Sequence, residues 1–458
     1  MAQIESWGPN IRPPLGKWIP LSIQHVFAMF GATILVPAIT GLDPATALFT
    51  AGTGTLLYII LTGAKVPAFL GSSFAFIPPI LAIAGGPGGP NMAYALGGAI
   101  AAGLFYCVVA FIIRFAGTKW LDRALPPVVI GSVIMVIGLN LAPTALNMAM
   151  LTDTTNPESY SLIYLSIAAV TLGVTVFASV FFKGFLSTIP ILIGLLSGYF
   201  FTLIMGFFVP CYAIINFQEV LDAKWIGMPK YQVPSFNFVA ILTFIIVSLA
   251  TICEHLGDTL VTSKVVGQDF YKNPGLHRTL VGDGLATTWA ALWGGPPNTT
   301  YGENVGVMAI TRVYSVWVIG GAAVIAVLLA FFRKFGALIQ TIPAPVLGGI
   351  SMLLFGIIAS SGLRTIVESG VDFKEKRNLT ISSVILVVGL GGGKLAFAIT
   401  NNVQFELAGV ALATVIGIIL NLVFPQSRIA AKSSSVDNGT AKGSDADNNG
   451  TDSGVKNV

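Results

Sequence analysis

The sequence predicts an all-α polytopic membrane protein with fourteen transmembrane segments, arranged as two inverted repeats of seven segments. Three observations lead to this prediction. Of the 458 residues, 54% are hydrophobic and 10% are charged, whereas a soluble domain carries about 25% charged residues. Apolar stretches close to the ~20 residues that cross a bilayer recur along most of the chain. Pairs of similar motifs divide the chain into two halves.

The apolar stretches number fourteen, and the third and tenth are short and interrupted by glycine, proline or polar residues. We expect each of these two to form a short strand plus a half-helix. They lie at about 20–39, 45–63, 70–85, 92–114, 125–145, 161–182, 186–209, 236–257, 279–295, 298–311, 315–332, 343–361, 378–393 and 405–424. If the N-terminus is inside, sixteen lysines and arginines fall on intracellular connections and five on external ones. The positive-inside rule then predicts a multi-pass protein of the cell membrane with both termini in the cytoplasm.

Two pairs of motifs indicate an internal repeat. A histidine in each half precedes the interrupted segment by 48 residues, from His25 to Ser73 and from His255 to Glu303. The motif PVxxG, with a further glycine eleven residues after its proline, occurs at 127–138 and at 345–356. An odd number of segments in each half forces the halves into opposite orientations. This arrangement is typical of secondary transporters, whose binding site lies near the middle of the bilayer at interrupted helices.

The stretch GGPPNTTYGENVG at 294–306 is the most informative in the chain. Irregular backbone at membrane depth persists only where protein or a water-filled cavity satisfies its N–H and C=O groups. We therefore expect a half-helix that begins near Glu303 and directs its positive dipole end into a binding pocket. Residues 298–300 and the amides near Gly302 would donate to carbonyl oxygens of a ligand, while Glu303 and Glu254 would accept from its N–H groups.

Glu254, Asp258 and Glu303 are the acidic residues predicted at membrane depth, where a charged side chain costs roughly 2.5–3.5 kcal/mol. Glu254 and Asp258 are four residues apart on one helix face, so they repel and are candidate proton carriers. Alternatively, Asp258 ends its span in a salt bridge with Lys264 or Arg278. The alternative for Glu303 is stabilisation of the helix dipole, worth up to ~1 kcal/mol.

The interrupted segment of the first half carries GSSFAF at 71–76. An aromatic ring beside small polar residues suits stacking on a planar ligand, which predicts a site containing Phe74 and Ser73. Packing against lipid or the protein core is the alternative for Phe74. His25 and His255 are either helix-packing residues or proton relays.

Other classes of function are disfavoured by the sequence. Cys107, Cys211 and Cys253 are widely spaced, which matches neither a disulfide framework nor a metal site. The basic residues are dispersed, so no nucleic-acid partner is predicted. No nucleophile and base pair, metal set or phosphate loop lies near the carboxylates, so we expect neither an enzyme nor a cofactor. A channel would need a continuous pore.

Five motifs carry a resemblance to a known family. They are QHVFAMFGAT at 24–33, GSSFAF at 71–76, EHLGD at 254–258, PGLHR at 274–278 and PNTTYGENVGVMAITR at 297–312. These motifs closely resemble the bacterial uracil permeases of the nucleobase/ascorbate transporter family, also called nucleobase cation symporter 2. The likeness extends from about residue 12 to 425 and implies proton-coupled uracil uptake by a homodimer in a lipid bilayer, with an elevator-like movement of a core domain against a gate domain.

The resemblance also implies the domain boundaries and the roles of residues. The core comprises segments 1–4 and 8–11, the gate segments 5–7 and 12–14, and the homodimer forms through the gate. The ranges are core at 20–123, gate and external loop at 124–235, core at 236–333 and gate at 334–425. The composition of the two ends, outside the likeness, predicts a cytoplasmic lead at 1–19 and a disordered cytoplasmic tail at 426–458. By position, uracil is expected to contact the carboxylates Glu254 and Glu303, the Gly302 amide and the Phe74 ring, with Tyr301 lining the pocket.

One departure from the family affects proton coupling. Some uracil permeases have a histidine four residues after the first glutamate, where this chain has Asp258. The set expected to carry the proton is therefore Glu254, Asp258, Glu303 and His25, with the proton as coupling ion. Purine and urate members have a glutamine at the position of Glu303, so glutamate favours uracil; a purine or another planar heterocycle is the alternative substrate.

Overall fold

The fold is mostly helical, as predicted, and a computed structural model describes residues 7–154, 156–400 and 403–425. The predicted disordered tail and the first six residues of the lead lie outside this range. The helices α1–α18 are Leu15–Thr40, Pro44–Leu61, Ile77–Ala84, Met92–Ala116, Lys119–Ala124, Pro127–Asn140, Ala142–Met150, Leu162–Phe181, Pro190–Phe208, Gln218–Asp222, Phe238–Val266, Leu276–Leu292, Gly302–Thr311, Val316–Phe331, Arg333–Gln340, Ala344–Glu368, Lys376–Leu390 and Gly409–Val423. The strands β1–β4 are Leu70–Ser72, Asn298–Thr300, Lys394–Thr400 and Val403–Ala408.

Eight spans in the described part of the chain are long and apolar enough to cross a membrane. They are α1, α2, α4, α6 with α7, α8, α9, α11 and α16. Shorter apolar helices occur at 74–84, 316–331 and 409–423. Length and composition therefore identify a multi-pass membrane protein, while the count of fourteen crossings stays a prediction.

The two interrupted segments meet through their strands. β1 and β2 pair in antiparallel orientation, with Leu70 opposite Thr300 and Ser72 opposite Asn298. The pairing continues beyond the strands, because the Ser73 amide donates to the Pro297 carbonyl at 2.8 Å and the Tyr301 amide donates to the Phe69 carbonyl at 2.9 Å. All these residues are buried. Each interrupted segment thus supplies hydrogen-bond partners for backbone groups of the other that are not paired within a helix. This is the condition for irregular backbone inside a membrane.

The long helices pack in two groups. In one group, α12 packs on α2 and α4, α14 packs on α1 and α2, and α11 packs on α4. In the other, α16 packs on α6, α7, α8 and α9, and α17 packs on α6 and α18. The groups touch where α11 meets α6 and α18 and where α1 meets α9 and α16. The strands β1 and β2 and the half-helices α3 and α13 belong to the first group.

The repeated PVxxG motifs begin two helices that pack against each other. Proline lies in the first turn of both α6 and α16, where its missing N–H costs no hydrogen bond. A Cβ on Gly131 would lie 2.6 Å from the carbonyl oxygen of Gly362, and one on Gly362 would lie 2.5 Å from that of Gly131. These glycines allow the two backbones to approach closely, as small residues do in membrane helix pairs.

A β-hairpin near the C-terminal end of the described chain was not predicted. The fourteenth apolar stretch was expected as one segment over 405–424, but β4 occupies its first residues and α18 begins at Gly409. β3 and β4 pair in antiparallel orientation, with Lys394 opposite Ala408. The signal lies in the sequence, because VQFEL at 403–407 alternates apolar and polar residues with the period of a strand.

Candidate functional site

The half-helix α13 begins at Gly302, one residue before the expected Glu303. Tyr301, at its N-cap position, supplies no side-chain hydrogen bond to the first turn, so the first amides of this helix are not capped by that residue. Open space surrounds Gly302 and Gly306, since a Cβ at either position would meet no heavy atom within 4 Å. Glu303, which lies between these two glycines on the helix, is half-buried. The positive end of α13 therefore borders an open volume suited to an anionic or hydrogen-bond-accepting group.

The predicted carboxylates lie together beside this helix. Glu254 and Asp258 are on α11, which packs against α13 and β2. Glu254 is 8% exposed, and its Oε2 atom has no hydrogen-bond partner within the described residues. The Glu254 carboxyl interacts electrostatically with those of Asp258, Asp283 and Glu303. A buried carboxylate oxygen without a partner is unusual, and here it marks a place where a ligand N–H or a proton can be received.

The alternative interpretation of Asp258 as a helix-end salt bridge is wrong. Its Oδ2 atom accepts a hydrogen bond from the Thr300 hydroxyl at 2.9 Å, and α11 continues to Val266. Lys264 instead pairs with Glu368 at 3.2 Å. Asp258 therefore links α11 to the second strand.

Asp283 is a buried acidic residue that sequence reasoning missed. It lies on α12 and is fully buried, and its Oδ2 atom is 2.9 Å from Nδ1 of His255. The other ring nitrogen of His255 lies 3.0 Å from the Thr279 hydroxyl. His255 thus has a polar neighbour at both ring nitrogens. Asp283 falls within the ninth predicted segment, so the rule that singled out the other carboxylates could have found it.

The first-half residues reach the same region from β1. Ser73 is fully buried and its hydroxyl has no partner within the described residues. Phe74 is 3% exposed and packs edge to face on Phe355 of α16, with ring centroids 5.6 Å apart. The Tyr301 hydroxyl donates to the Ser72 carbonyl at 3.3 Å. Phe74 therefore lies on the boundary between the two helix groups, and both its stacking role and its packing alternative remain compatible with this position.

His25 is paired with the half-helix rather than with a carboxylate. The Asn304 amide nitrogen lies 3.0 Å from Nδ1 of His25 and donates to the His25 carbonyl oxygen at 3.2 Å. Both residues are buried. This contact joins α1 to the first turn of α13, the turn that also carries Glu303. His25 is thus hydrogen-bonded to Asn304, the residue that follows Glu303.

Hydroxyl groups on neighbouring helices fix both strands. The Thr55 hydroxyl on α2 accepts from the Leu70 amide at 2.9 Å and donates to the Leu70 carbonyl at 3.1 Å. The Thr287 hydroxyl on α12 donates to the Asn298 carbonyl at 2.9 Å. Since α2 precedes β1 and α12 precedes β2 at corresponding positions, the two halves use the same device.

The structure refines the correspondence between the halves. β1 and β2 begin 228 residues apart, at Leu70 and Asn298, and the helical turns that follow begin equally far apart, at Phe74 and Gly302. The sequence repeat had matched Ser73 to Glu303, which differs by two residues. By structure, Ser73 corresponds to Tyr301, and the carboxylate of Glu303 has no acidic counterpart in the first half.

Comparisons with known proteins agree with this architecture. Residues 16–398 match the model of a family described as the permease family. The chain is 52% identical to the uracil permease of Bacillus subtilis (strain 168) over 421 residues, which is 90% of this chain and 93% of that protein. It is 48% identical to the uracil permease of Escherichia coli (strain K12), covering 91% of this chain and 93% of that protein.

A further relative and two solved structures extend the comparison. The putative pyrimidine permease RutG of Escherichia coli (strain K12) is 39% identical and covers 92% of both chains. The transmembrane domain of a cyanobacterium bicarbonate transporter, BicA, matches with a TM-score of 0.62 at 14% identity, over 92% of this chain and all of that one. Murine solute carrier 26 family member A9, an anion transporter, matches with a TM-score of 0.66 at 10% identity, over 90% of this chain and 69% of that one.

Proposed function

Because the chain belongs to the permease family whose model it matches, we propose that it takes up uracil together with protons. Family membership confirms the prediction of a transporter rather than an enzyme. The substrate is inferred from relatives named uracil permeases, at 48% and 52% identity over about nine-tenths of the chain. The observation that carries the proposal is the unpartnered carboxylate of Glu254 near Glu303 and the open amide end of α13.

The chemistry of uracil fits these groups. Its two ring N–H groups donate to carboxylates, and Glu254 and Glu303 are the acceptors in our proposal. Its carbonyl oxygens accept from backbone amides, for which Gly302 is open. Phe74 supplies an aromatic face, while Ser73 and Tyr301 complete the lining. A site built to bond N–H groups rejects analogues without them, because its buried acceptors would be left unpaired.

The cluster of carboxyl groups supports the proposal of proton coupling. Glu254, Asp258 and Glu303 lie close enough to interact, together with Asp283. Like charges in a buried cluster repel, and uptake of one proton relieves this repulsion by neutralising a carboxylate. The neutral site then costs less free energy to move across the membrane. Glu254, Asp258 and Glu303 are the proton carriers in this proposal. His25 is the fourth member, acting through its contact with Asn304.

Alternating access is proposed to arise from movement of one helix group against the other. The group of α1, α2, α4 and α11–α14 corresponds to the core and that of α6–α9 and α16–α18 to the gate. An elevator movement would carry both half-helices with the core, and Phe74 would slide along Phe355. Fourteen crossings in two inverted repeats are part of the proposal, and the matching hydroxyl anchors of the two strands support it.

A homodimer through the gate is proposed from the exposure of two helices. In the apolar windows of α8 and α9, 28% of residues are buried, compared with 50–67% in the other long helices. These faces meet lipid or a second copy of the chain. Cross-linking between cysteines introduced on α8 and α9 in native membranes tests the dimer; monomeric protein under those conditions would contradict it.

Uptake of radiolabelled uracil into membrane vesicles, with an imposed proton gradient and with a protonophore, tests the function. We expect accumulation to rise as external pH falls and to be lost with the protonophore. Glu303→Gln should abolish uptake, whereas Glu219→Gln in the external loop is the control. Uphill uptake without a gradient would refute proton coupling. Competition by purines that exceeds competition by unlabelled uracil would favour the alternative substrate.

A further inference from the structure

Two tryptophans hold an exposed cation in the N-terminal lead. The guanidinium of Arg12 lies 4.8 Å from the ring centroid of Trp18 and 5.6 Å from that of Trp317. The Trp18 indole N–H donates to the Trp317 carbonyl at 2.7 Å, which fixes the two rings relative to each other. Arg12 is exposed, and within the described residues no carboxylate lies at ion-pairing distance from it. The charge is therefore positioned but not neutralised.

An apolar groove lies directly beside this cation. Its volume is about 610 Å³, within the range of small-molecule sites. Trp18 and Trp317 belong to its lining, which otherwise comes almost entirely from apolar side chains of α1, α2 and α14, including Leu15, Ile19, Leu56, Ile59, Val324 and Ile325. The one hydroxyl, that of Ser22, donates to the Val318 carbonyl at 2.9 Å and is thereby satisfied. None of the lining residues belongs to the proposed transport site.

We propose that the groove binds an anionic phospholipid, with its phosphate on Arg12 and one acyl chain along the groove. An apolar groove with a cation at its rim favours an amphiphile that has an acyl chain and a negatively charged headgroup. Tryptophans at a membrane interface and basic residues beside the hydrocarbon region are the features that recognise such lipids. Arg312, at the end of α13, adds positive charge next to the lead.

The bound lipid would also fasten the N-terminal lead. The Trp7 amide donates to the Arg312 carbonyl at 3.2 Å, and the Tyr314 amide returns a bond to the Trp7 carbonyl at 2.8 Å. The Val316 amide donates to the Pro9 carbonyl at 3.0 Å. This strap crosses the connection from α13 to α14, just beyond the half-helix that carries Glu303. A lipid bound to Arg12 would contact this N-terminal strap only in the folded protein. Lipid binding would therefore stabilise the folded state by mass action.

Lipid binding is measured on the purified full-length protein in detergent, by native mass spectrometry and thermal unfolding, with phosphatidylglycerol and phosphatidylcholine of the same acyl chains. We expect tighter binding and a higher Tm with phosphatidylglycerol. Because a charge-assisted bond is lost, Arg12→Gln should weaken phosphatidylglycerol binding about tenfold. Phosphatidylcholine should be affected less, because the choline cation already offsets the charge of its phosphate. Arg364→Gln, an exposed cation on α16, is the control and should change neither.

A second variant separates the groove from the cation. A Cβ on Gly320 would meet only Ile59 Cδ1 at 3.7 Å, an ordinary contact, so Gly320→Leu fills the groove without displacing backbone. It should weaken both lipids while Arg12 stays in place. Glycerol phosphate should not compete, since it lacks an acyl chain. Equal affinity for the two lipids, an unaffected Arg12→Gln protein, or displacement by glycerol phosphate would overturn the proposal.

Discussion

The two interrupted segments share one architecture and differ in chemistry. Each has a three-residue strand, a hydroxyl anchor from the preceding helix and a helix that starts at the end of the strand. After β1 the chain continues with Phe74 and then a proline-led helix, whereas after β2 it continues with Gly302 and Glu303. The scaffold is thus duplicated, but the carboxylate is placed in one half only. This asymmetric pair suits the proposed substrate, which donates hydrogen bonds on one edge and has a flat ring face.

The largest expected effect tests this asymmetry directly. Glu303→Gln removes a charged acceptor from the second half, and we expect uracil affinity to fall about a hundredfold, as for the loss of a charge-assisted hydrogen bond. Ser73→Ala removes a neutral hydroxyl from the first half and should cost less than about tenfold. Equilibrium binding of labelled uracil to purified protein measures both. Equal losses of affinity would show that the two halves contribute equally to uracil binding, which contradicts the asymmetry.

A second comparison uses the repeated PVxxG helices. A Cβ on Gly138 would lie 2.5 Å from the Phe355 carbonyl oxygen and 2.6 Å from the Ala359 amide nitrogen, whereas the corresponding Gly356 has open space around it. Gly138→Ala forces the backbones of α6 and α16 apart and should cost about 1–3 kcal/mol. Gly356→Ala should be neutral or slightly stabilising. Thermal unfolding of the two variants decides; a destabilised Gly356→Ala protein would contradict the packing.

The strand anchors predict a smaller difference. Thr55 makes two hydrogen bonds to Leu70, and Thr287 makes one to Asn298. Replacement by valine keeps the shape and removes the hydroxyl, so Thr55→Val should lower the free energy of unfolding by about 2 kcal/mol and Thr287→Val by about 1 kcal/mol. Denaturant titration of the purified protein compares them. If Thr287→Val proved the more damaging variant, the hydrogen-bond count would not explain strand anchoring.

The smallest expected effect concerns an ion pair that joins the halves. Arg333 lies 3.4 Å from Asp43, and Asp43 also caps α2 by accepting from the Thr46 amide at 3.0 Å. Arg333→Gln should cost less than about 1 kcal/mol because the guanidinium is partly solvated. Asp43→Ala should cost more, about 1–2 kcal/mol, since it also removes the cap. Thermal unfolding at low and high salt separates the two contributions. The loss in Arg333→Gln should shrink at high salt, whereas Asp43→Ala should keep a salt-independent loss, and the absence of that remainder would contradict the capping role.

Much of the fold and of the site follows from patterns along the chain. Residues 294–306 interrupt an apolar region, and lipid excludes such backbone unless protein satisfies it, so a half-helix near Glu303 could be inferred and α13 begins beside it. The same pattern indicated the strand at 70–72. The hairpin β3–β4 was missed because residues 405–424 have the length and apolar character of one membrane-spanning helix. Asp283 was missed although the rule that selected Glu254, Asp258 and Glu303 applies to it as well.

Other features were decided only by the tertiary structure. Asn304 meets His25 across 279 positions of the chain, and Asn298 donates to the Thr50 carbonyl across 248. A buried polar group must find a partner, but many hydroxyls and amides in this sequence have the right chemistry. The sequence determined that the membrane interior contains polar groups in need of partners. The packing of α1 on α13 and of α2 on β2 determined which partners they have, because it brings distant segments within hydrogen-bonding distance.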